Sequence, residues 1–337
     1  MQYAFLLKPH ANTRYLDSLR KLAIKELKCM LKAGCVDAEP AWREMGGAPW
    51  LILDCPPLSD ACLRLISRHS SIYLGALLEG DLLRPLAWEC TEFLPADIAE
   101  VLKYKGKTNA SFTELLLNCA LCASAFAFSQ TPLQVMDPLC GKGTSLFCAL
   151  RRGYDAIGVE MNAKDIHEAN DYLSRYLQLH RMKHQKKCGS FTLPGGKNAP
   201  FTSYQVTGPN DGSPLQNVHT LRFIEGDTLS CPYIQKPETI HLMIADLPYG
   251  VQHAPQDGRR IASFPALMAQ ALPKWYALLH KGGAIALSFN QLTLKKTMLQ
   301  DLMQNAGFNV QMNSPFEDFS HWVEQAVTRD ILVAVKK

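Results

Sequence analysis

LQVMDPLCGKGT, residues 133–144, carries an apolar strand (LQVMD) into an acid, a proline and a glycine loop that opens a helix. Glycines at 141 and 143 let the backbone pass close beneath a ligand, and a helix N-terminus offers unpaired N–H groups to a carboxylate or phosphate. A dinucleotide-binding fingerprint needs a third glycine three residues after the second, where Leu146 stands. A P-loop needs Gly-Lys-Ser/Thr after a longer loop, which Gly141-Lys142-Gly143 does not supply. The loop is therefore built for a bound ligand of another kind.

Outward from this loop, strands and helices alternate. A helix over SFTELLLNCALCASAFAF precedes it, and the strand DAIGVE (155–160) and the helix AKDIHEANDYLSRYLQLH follow. Next come the strands LRFIEGD (221–227) and HLMIAD (241–246), a helix over about 262–280, the strand GAIALSF (283–289) and a further helix. FNVQM and RDILVAVK close the chain as an expected antiparallel edge. Such alternation predicts an α/β fold, a doubly wound parallel sheet with helices on both faces, over residues 106–337.

The first 105 residues read differently. A strand over 2–7, a long helix, the strand PWLILDCP, a short helix and the strand SIYLGALLEG predict a small α+β unit. In the long helix Leu16, Leu19, Ala23, Leu27 and Met30 share one face, and Gly34 is its expected stop. Lys21, Lys25, Lys28 and Lys32 line the opposite face, which a solvated surface explains.

At 337 residues, with 47% hydrophobic and 20% charged content, the chain has the composition of an ordinary globular protein. A net charge of +4 does not by itself imply nucleic acid. MQYAFLLKPHANTR, broken by Lys8 and Pro9, is not read as a signal peptide, and no run approaches a membrane span. Eleven cysteines without framework spacing point to reduced thiols and a cytoplasmic setting, with no membrane partner. Cys119 and Cys122 form a C-x-x-C in an apolar helix and are read as core, and no metal is expected.

Three acids, Asp137, Glu160 and Asp227, end successive strands beside the glycine loop. An acid at the tip of the second strand is placed to accept ribose hydroxyls, and Asp227 to accept from an adenine amino group. A strand-end acid can also simply cap a helix start. HLMIADLPYG (241–250) then runs a strand into Asp246, a fixed backbone at Pro248 and the flat face of Tyr249, an arrangement suited to gripping a planar amine.

DPLCGKGT (137–144) together with DLPY (246–249) resembles the class I S-adenosylmethionine (SAM)-dependent methyltransferases, specifically their amino-methylating branch. That branch carries a D-P-x-x-G-x-G-T loop and an Asn/Asp-Pro-Pro-aromatic tetrapeptide after the fourth strand. With D-x-P-Y-G, the sequence is most similar to the THUMP-associated RNA guanine-N2 methyltransferases, over roughly residues 105–337. The resemblance implies a Rossmann-like methyltransferase sheet, SAM as cofactor, and tRNA as substrate. It also implies that Gly141, Gly143 and Thr144, with Asp137 and Pro138 beside them, hold the methionine part of SAM. Glu160 would take the ribose and Asp227 the adenine. Asp246 and the carbonyl of Leu247 would accept the two amine hydrogens, with Pro248 holding the turn and Tyr249 stacking on the base. Leu247 stands where the family has proline, but the accepting carbonyl survives that change. The N-terminal unit matches the family's ferredoxin-like piece better than its THUMP domain.

An exocyclic base amine is a poor nucleophile because its lone pair is delocalised into the ring. Two acceptors on its hydrogens favour a more tetrahedral nitrogen and stabilise the charge that develops there. Candidate phosphate contacts are Arg175, Arg181, Lys183, Lys186 and Lys187, a basic segment that leads into a Gly/Pro-rich insertion at about 180–220 read as extended or partly disordered loop, and Arg259 and Arg260 after DLPYG. His180, His184 and Cys188 lack a fourth ligand for zinc, and His321 and Trp322 either line the site or pack. DNA adenine or protein glutamine as the methyl acceptor, and a non-catalytic RNA-binding scaffold, are the competing readings.

Overall fold

The computed structural model describes residues 1–9, 13–87, 92–101, 108–208, 218–248 and 264–337. Tyr249, Gly250, Arg259 and Arg260 lie outside the described residues. Among the described residues no helix is long and apolar enough to cross a membrane.

The chain begins with β1 (Gln2–Leu7), α1 (Thr13–Ala33), β2 (Ala41–Met45), β3 (Ala48–Asp54), α2 (Asp60–Ser67), β4 (Ile72–Glu79) and β5 (Leu82–Pro85). These strands form an antiparallel sheet in the order β2-β3-β1-β4-β5. Its first four strands and two helices make the β-α-β-β-α-β ferredoxin-like arrangement, with β5 added as a hairpin arm. The sequence reading missed β2. AWREM is mostly exposed and shows no apolar alternation, while Gly46 (φ 58) and Gly47 (φ 75) make the two-residue turn that folds it back on β3.

The second sheet follows from α3 (Ala110–Ala123), β6 (Gln134–Asp137), α4 (Thr144–Arg151), β7 (Asp155–Glu160), α5 (Ala163–Leu179), β8 (His184–Thr192), β9 (Asn198–Thr207) and β10 (Val218–Glu225). It continues with α6 (Cys231–Ile234), β11 (Ile240–Asp246), α7 (Phe264–Leu278), β12 (Leu279–Asn290), α8 (Lys296–Asn305), β13 (Asn309–Val310), β14 (His321–Glu324) and β15 (Val327–Val335). The strand order is β13-β15-β12-β11-β6-β7-β10-β9-β8, with β14 paired to β15. Strands β10, β7, β6, β11 and β12 run parallel. The fold is the doubly wound, Rossmann-like sheet that the alternation predicts. The order reverses between β6 and β11, so the crevice for a ligand lies at the C-terminal ends of those two strands.

The two closing strands form the expected antiparallel end of the sheet, with β15 between β12 and the two-residue β13. Two details depart from the sequence reading. Over residues 184–207 the insertion is a pair of strands, not the expected loop. β8 and β9 form a long hairpin, turned at Pro194-Gly195-Gly196 and laid antiparallel on β10. β8 is the sheet edge and its residues are almost all exposed, so it carries no apolar alternation to read. Finally, the lysine stripe of α1 is not a free solvated face. Lys21 Nζ donates to Asp318 Oδ2 (2.8 Å), Lys25 to Glu317 Oε1 (2.5 Å) and Lys32 to the Ser314 carbonyl (2.8 Å), while Lys28 pairs with Glu39.

One apolar cluster joins the two sheets. Leu27 and Met30 of α1 belong to the same buried core as Phe112, Leu116 and Cys119 of α3, and as Leu242 and Ile244 of β11. Cys119 and Cys122 are buried in that core. On the opposite face of the large sheet a second cluster packs Trp275 and Leu278 of α7 against Ile157, Met243 and Leu287. Burying β11 on both faces fixes its register, and hence where Asp246 emerges.

Candidate active site

The glycine loop joins β6 to α4 and is stitched to β7. The Cys140 N–H donates to the Val159 carbonyl (3.0 Å) and the Gly143 N–H to the Cys140 carbonyl (2.8 Å). Gly141 (φ 50) and Gly143 (φ 81) both occupy the left-handed region. A Cβ on Gly141 would meet nothing within 4 Å, which leaves open space above it. A Cβ on Gly143 would lie 2.8 Å from the Phe223 ring. Gly143→Ala therefore combines backbone strain with overpacking, and we expect about 2–4 kcal/mol of destabilisation. Thermal unfolding checks this; a melting temperature within a degree of wild type would refute it.

Asp137 is buried under the loop, accepting the Leu139 N–H on Oδ1 (2.9 Å) and the Ser145 hydroxyl on Oδ2. Burial, helped by the charges of Glu160 and Asp246, pushes its carboxyl up to about 7 against the pull of those donors. Pro138 is buried beside it, and Thr144 starts α4, buried. Glu160, at the tip of β7, accepts the N–H groups of Gly141 (3.1 Å) and Asn162 (2.9 Å). Asp227 lies two residues beyond the end of β10, exposed. It caps the short turn at 228–230 through the Leu229 N–H (2.8 Å), and Trp275 Nε1 holds Thr228 next to it (3.1 Å). Lys142 crosses from the loop to Glu168 and Asp165 of α5.

Asp246 ends β11, on the other side of the switch point. Thr108 Oγ1 donates to its Oδ2 (2.5 Å), Ser288 Oγ to its Oδ1 (2.7 Å), and Arg329 Nη2 lies 3.6 Å from Oδ2. Arg329 is itself held over the Phe112 ring at 4.4 Å. Leu247 is buried and its N–H donates to the Ser288 carbonyl (2.8 Å), extending the β11–β12 pairing past Asp246. This ties the backbone through a residue that is not proline. Pro248 follows, half-buried.

Asp137, Pro138, Gly141, Gly143, Thr144, Glu160 and Asp246 thus gather on one edge of the sheet, with Asp227 at its margin. Sequence reading missed Thr108, Ser288 and Arg329. Ser288 alone left a signal, a polar residue at the tip of an apolar strand, in register with Asp246. Arg175, Arg181, Lys183, Lys186 and Lys187 do not join this group. They are exposed along the end of α5 and the start of β8, towards the opposite edge, where β7 begins. His184 and Cys188 sit on β8 rather than on a helix, so the zinc spacing has no helical face behind it. His321 packs against Phe112 and Trp322 is exposed.

No family model and no curated protein matches the chain. Among solved structures it is similar to an rRNA methylase from Streptococcus thermophilus, at 12% identity over 69% of this chain and 99% of that one, with a TM-score of 0.37. It is also similar to a TehB-like SAM-dependent methyltransferase from Corynebacterium glutamicum (14% identity, 63% and 84% covered, TM-score 0.36). Magnesium protoporphyrin IX methyltransferase from Synechocystis, solved with bound SAM, matches at 13% identity over 69% and 87%, with a TM-score of 0.38. The functional reading rests on the geometry of the site.

Proposed function

We propose that this chain is a SAM-dependent methyltransferase acting on an exocyclic base amine of RNA, guanine N2 of tRNA. The observation that carries the reading is the fixed carboxylate of Asp246, held by Thr108, Ser288 and Arg329 across the switch point from a left-handed glycine loop.

The residues present fit the cofactor. Asp137, Glu160 and Asp246 concentrate negative charge around open space above Gly141, and their mutual repulsion helps raise the Asp137 carboxyl. Such a rim favours a cationic ligand. Gly141, Gly143, Thr144, Asp137 and Pro138 would hold the methionine portion, Glu160 the ribose and Asp227 the adenine. Bound SAM supplies a methyl group on a positively charged sulfur.

The chain's own work is to hold the amine. Asp246 accepts one N–H and the Leu247 carbonyl the other, which turns the nitrogen lone pair out of the ring and stabilises positive charge on that nitrogen. Donors already on both Asp246 oxygens fix its orientation before the amine arrives, so little reorganisation is needed on binding. Tyr249 offers the stacking face for a base drawn out of its helix.

The test is methyl transfer from labelled SAM to unmodified tRNA, duplex DNA and a protein extract, followed by nucleoside digestion. We expect label in N2-methylguanosine, lost in Asp246→Ala. Label in DNA or protein would retain the amine chemistry and reject RNA. Binding of SAM with no transfer to any of the three would support a scaffold.

A further inference from the structure

A cleft of about 880 Å³ opens at the edge of the large sheet opposite the carboxylates. Phe93, Pro95 and Met182 give it an apolar wall, and His180, Arg181 and Lys183 give it a basic rim. We propose that this cleft is a second contact site for the RNA substrate, taking one unpaired nucleotide with its base on the apolar wall and its phosphate on Arg181 and Lys183. The inference rests on the RNA reading above and adds a site to it.

Three observations converge on it. The volume lies in the range of pockets that enclose a nucleotide-sized ligand. Most of the rim charge is also uncompensated among the described residues. Arg181 and Lys183 are exposed and form no ion pair among the described residues, whereas Glu92, the acid of the cleft, is already taken by Arg151 (Nε–Oε2 2.6 Å). His180 is nearer to an acid, 3.9 Å from Asp97, and is stacked on Tyr176 at 4.2 Å. The lysines of α1 differ in being spent on the chain's own carboxylates and carbonyls.

Arg181 also occupies a conformation that its side chain does not favour. It ends α5 in a Schellman motif, its N–H bonded to the Gln178 carbonyl (3.0 Å) and that of Met182 to the Leu177 carbonyl (2.9 Å). That position calls for a left-handed residue, usually glycine, yet Arg181 holds φ 52, one of three non-glycine residues with positive φ among those described. An arginine kept in a glycine's place puts a cation on the cleft rim at the expense of helix-end stability. The cleft and the carboxylate edge are separated by the length of β7, roughly 20 Å at about 3.3 Å per residue. One folded RNA can therefore reach both.

The experiment pairs affinity with stability in the full-length protein. Binding of unmodified tRNA and of a single-stranded oligoribonucleotide is followed by fluorescence anisotropy between 50 and 200 mM salt, beside thermal unfolding. For Arg181→Gly we expect a melting temperature higher by about 2 °C, because the strain is relieved. RNA affinity should fall about 5- to 10-fold, with the log–log salt slope smaller by about one. Arg181→Lys should keep wild-type melting and stay within about 2-fold of wild-type affinity, since it retains both charge and strain. Arg181→Gly that is more stable but binds RNA as wild type does would overturn the second site alone. Wild-type protein that binds SAM but no RNA would overturn the RNA reading and the cleft with it.

Discussion

Asp246→Ala should lower the rate of methyl transfer by roughly 10³-fold while leaving cofactor affinity within a few-fold of wild type. In the proposed site the carboxylate grips the amine, whereas the glycine loop that follows β6 and Glu160 at the end of β7 would hold the cofactor. Removing it takes away the acceptor that stabilises charge on the attacking nitrogen and the anion beside Arg329. Because Arg329 is nearly buried, part of the loss could come from a disturbed fold, so Asp246→Asn serves as the companion variant. The amide keeps the shape and can still accept from Ser288 or Thr108, but it has no charge to offer. Single-turnover rates and calorimetric binding together separate the contributions. Full turnover in both variants would remove Asp246 from the chemistry, and loss of cofactor binding in Asp246→Asn would place it in the wrong half of the site.

The second large effect is expected at Asp137, and it runs in opposite directions for stability and function. Burial holds this carboxyl at about 7 in the folded protein, against 3.8 for an ordinary aspartate. Between those values the folded chain binds a proton that the unfolded chain does not. Stability contributed by this group is therefore present at acid pH and lost as pH rises from about 4 to about 7. Above that range the buried charge costs up to about 4 kcal/mol, and weaker bonds to Leu139 and Ser145 in the variant reduce the gain. Asp137→Asn should accordingly raise stability at pH 8 by about 2 kcal/mol and flatten the dependence of unfolding on pH. The same substitution removes a negative charge from the proposed cation-binding rim, and SAM affinity should drop about 10-fold at pH 8. In the wild type, SAM binding should tighten from pH 6 to pH 8 as Asp137 ionises, with a smaller change for S-adenosylhomocysteine, whose sulfur is neutral. Denaturant titrations and calorimetry at pH 5, 6.5 and 8 check both limbs. A pH-independent affinity would show that Asp137 does not face the cofactor's charge.

Opposed demands of this kind explain why several of the site's features break local rules. Gly143 needs a left-handed backbone under the Phe223 ring, and three carboxylates are crowded around one opening. Each is costly in the ligand-free chain and useful to a cationic, closely approached ligand.

From residues 133–246 alone, the alternation of apolar runs established the doubly wound sheet, and the acids at the strand tips marked out a candidate ligand-binding edge. Both are local properties: a strand's apolar run, a glycine's positive φ and an acid at a strand end are written within a few consecutive positions. The ferredoxin-like order of the first sheet was legible only in part, because β2 is exposed and lacks alternation. The β8–β9 hairpin escaped for the same reason, since an edge strand pairs through its backbone and asks little of its side chains. What only the tertiary structure decided is who stands next to whom. Thr108 reaches Asp246 across 138 residues, Ser288 across 42, and Lys21 finds Asp318 across 297. Those partners are set by strand register and by the packing of α1 and α3 on a shared core, neither of which leaves a mark on the residues adjacent in sequence. The same holds for the basic residues of the insertion, whose charge is plain in the sequence but whose distance from the carboxylate edge follows from β8 running beside the start of β10.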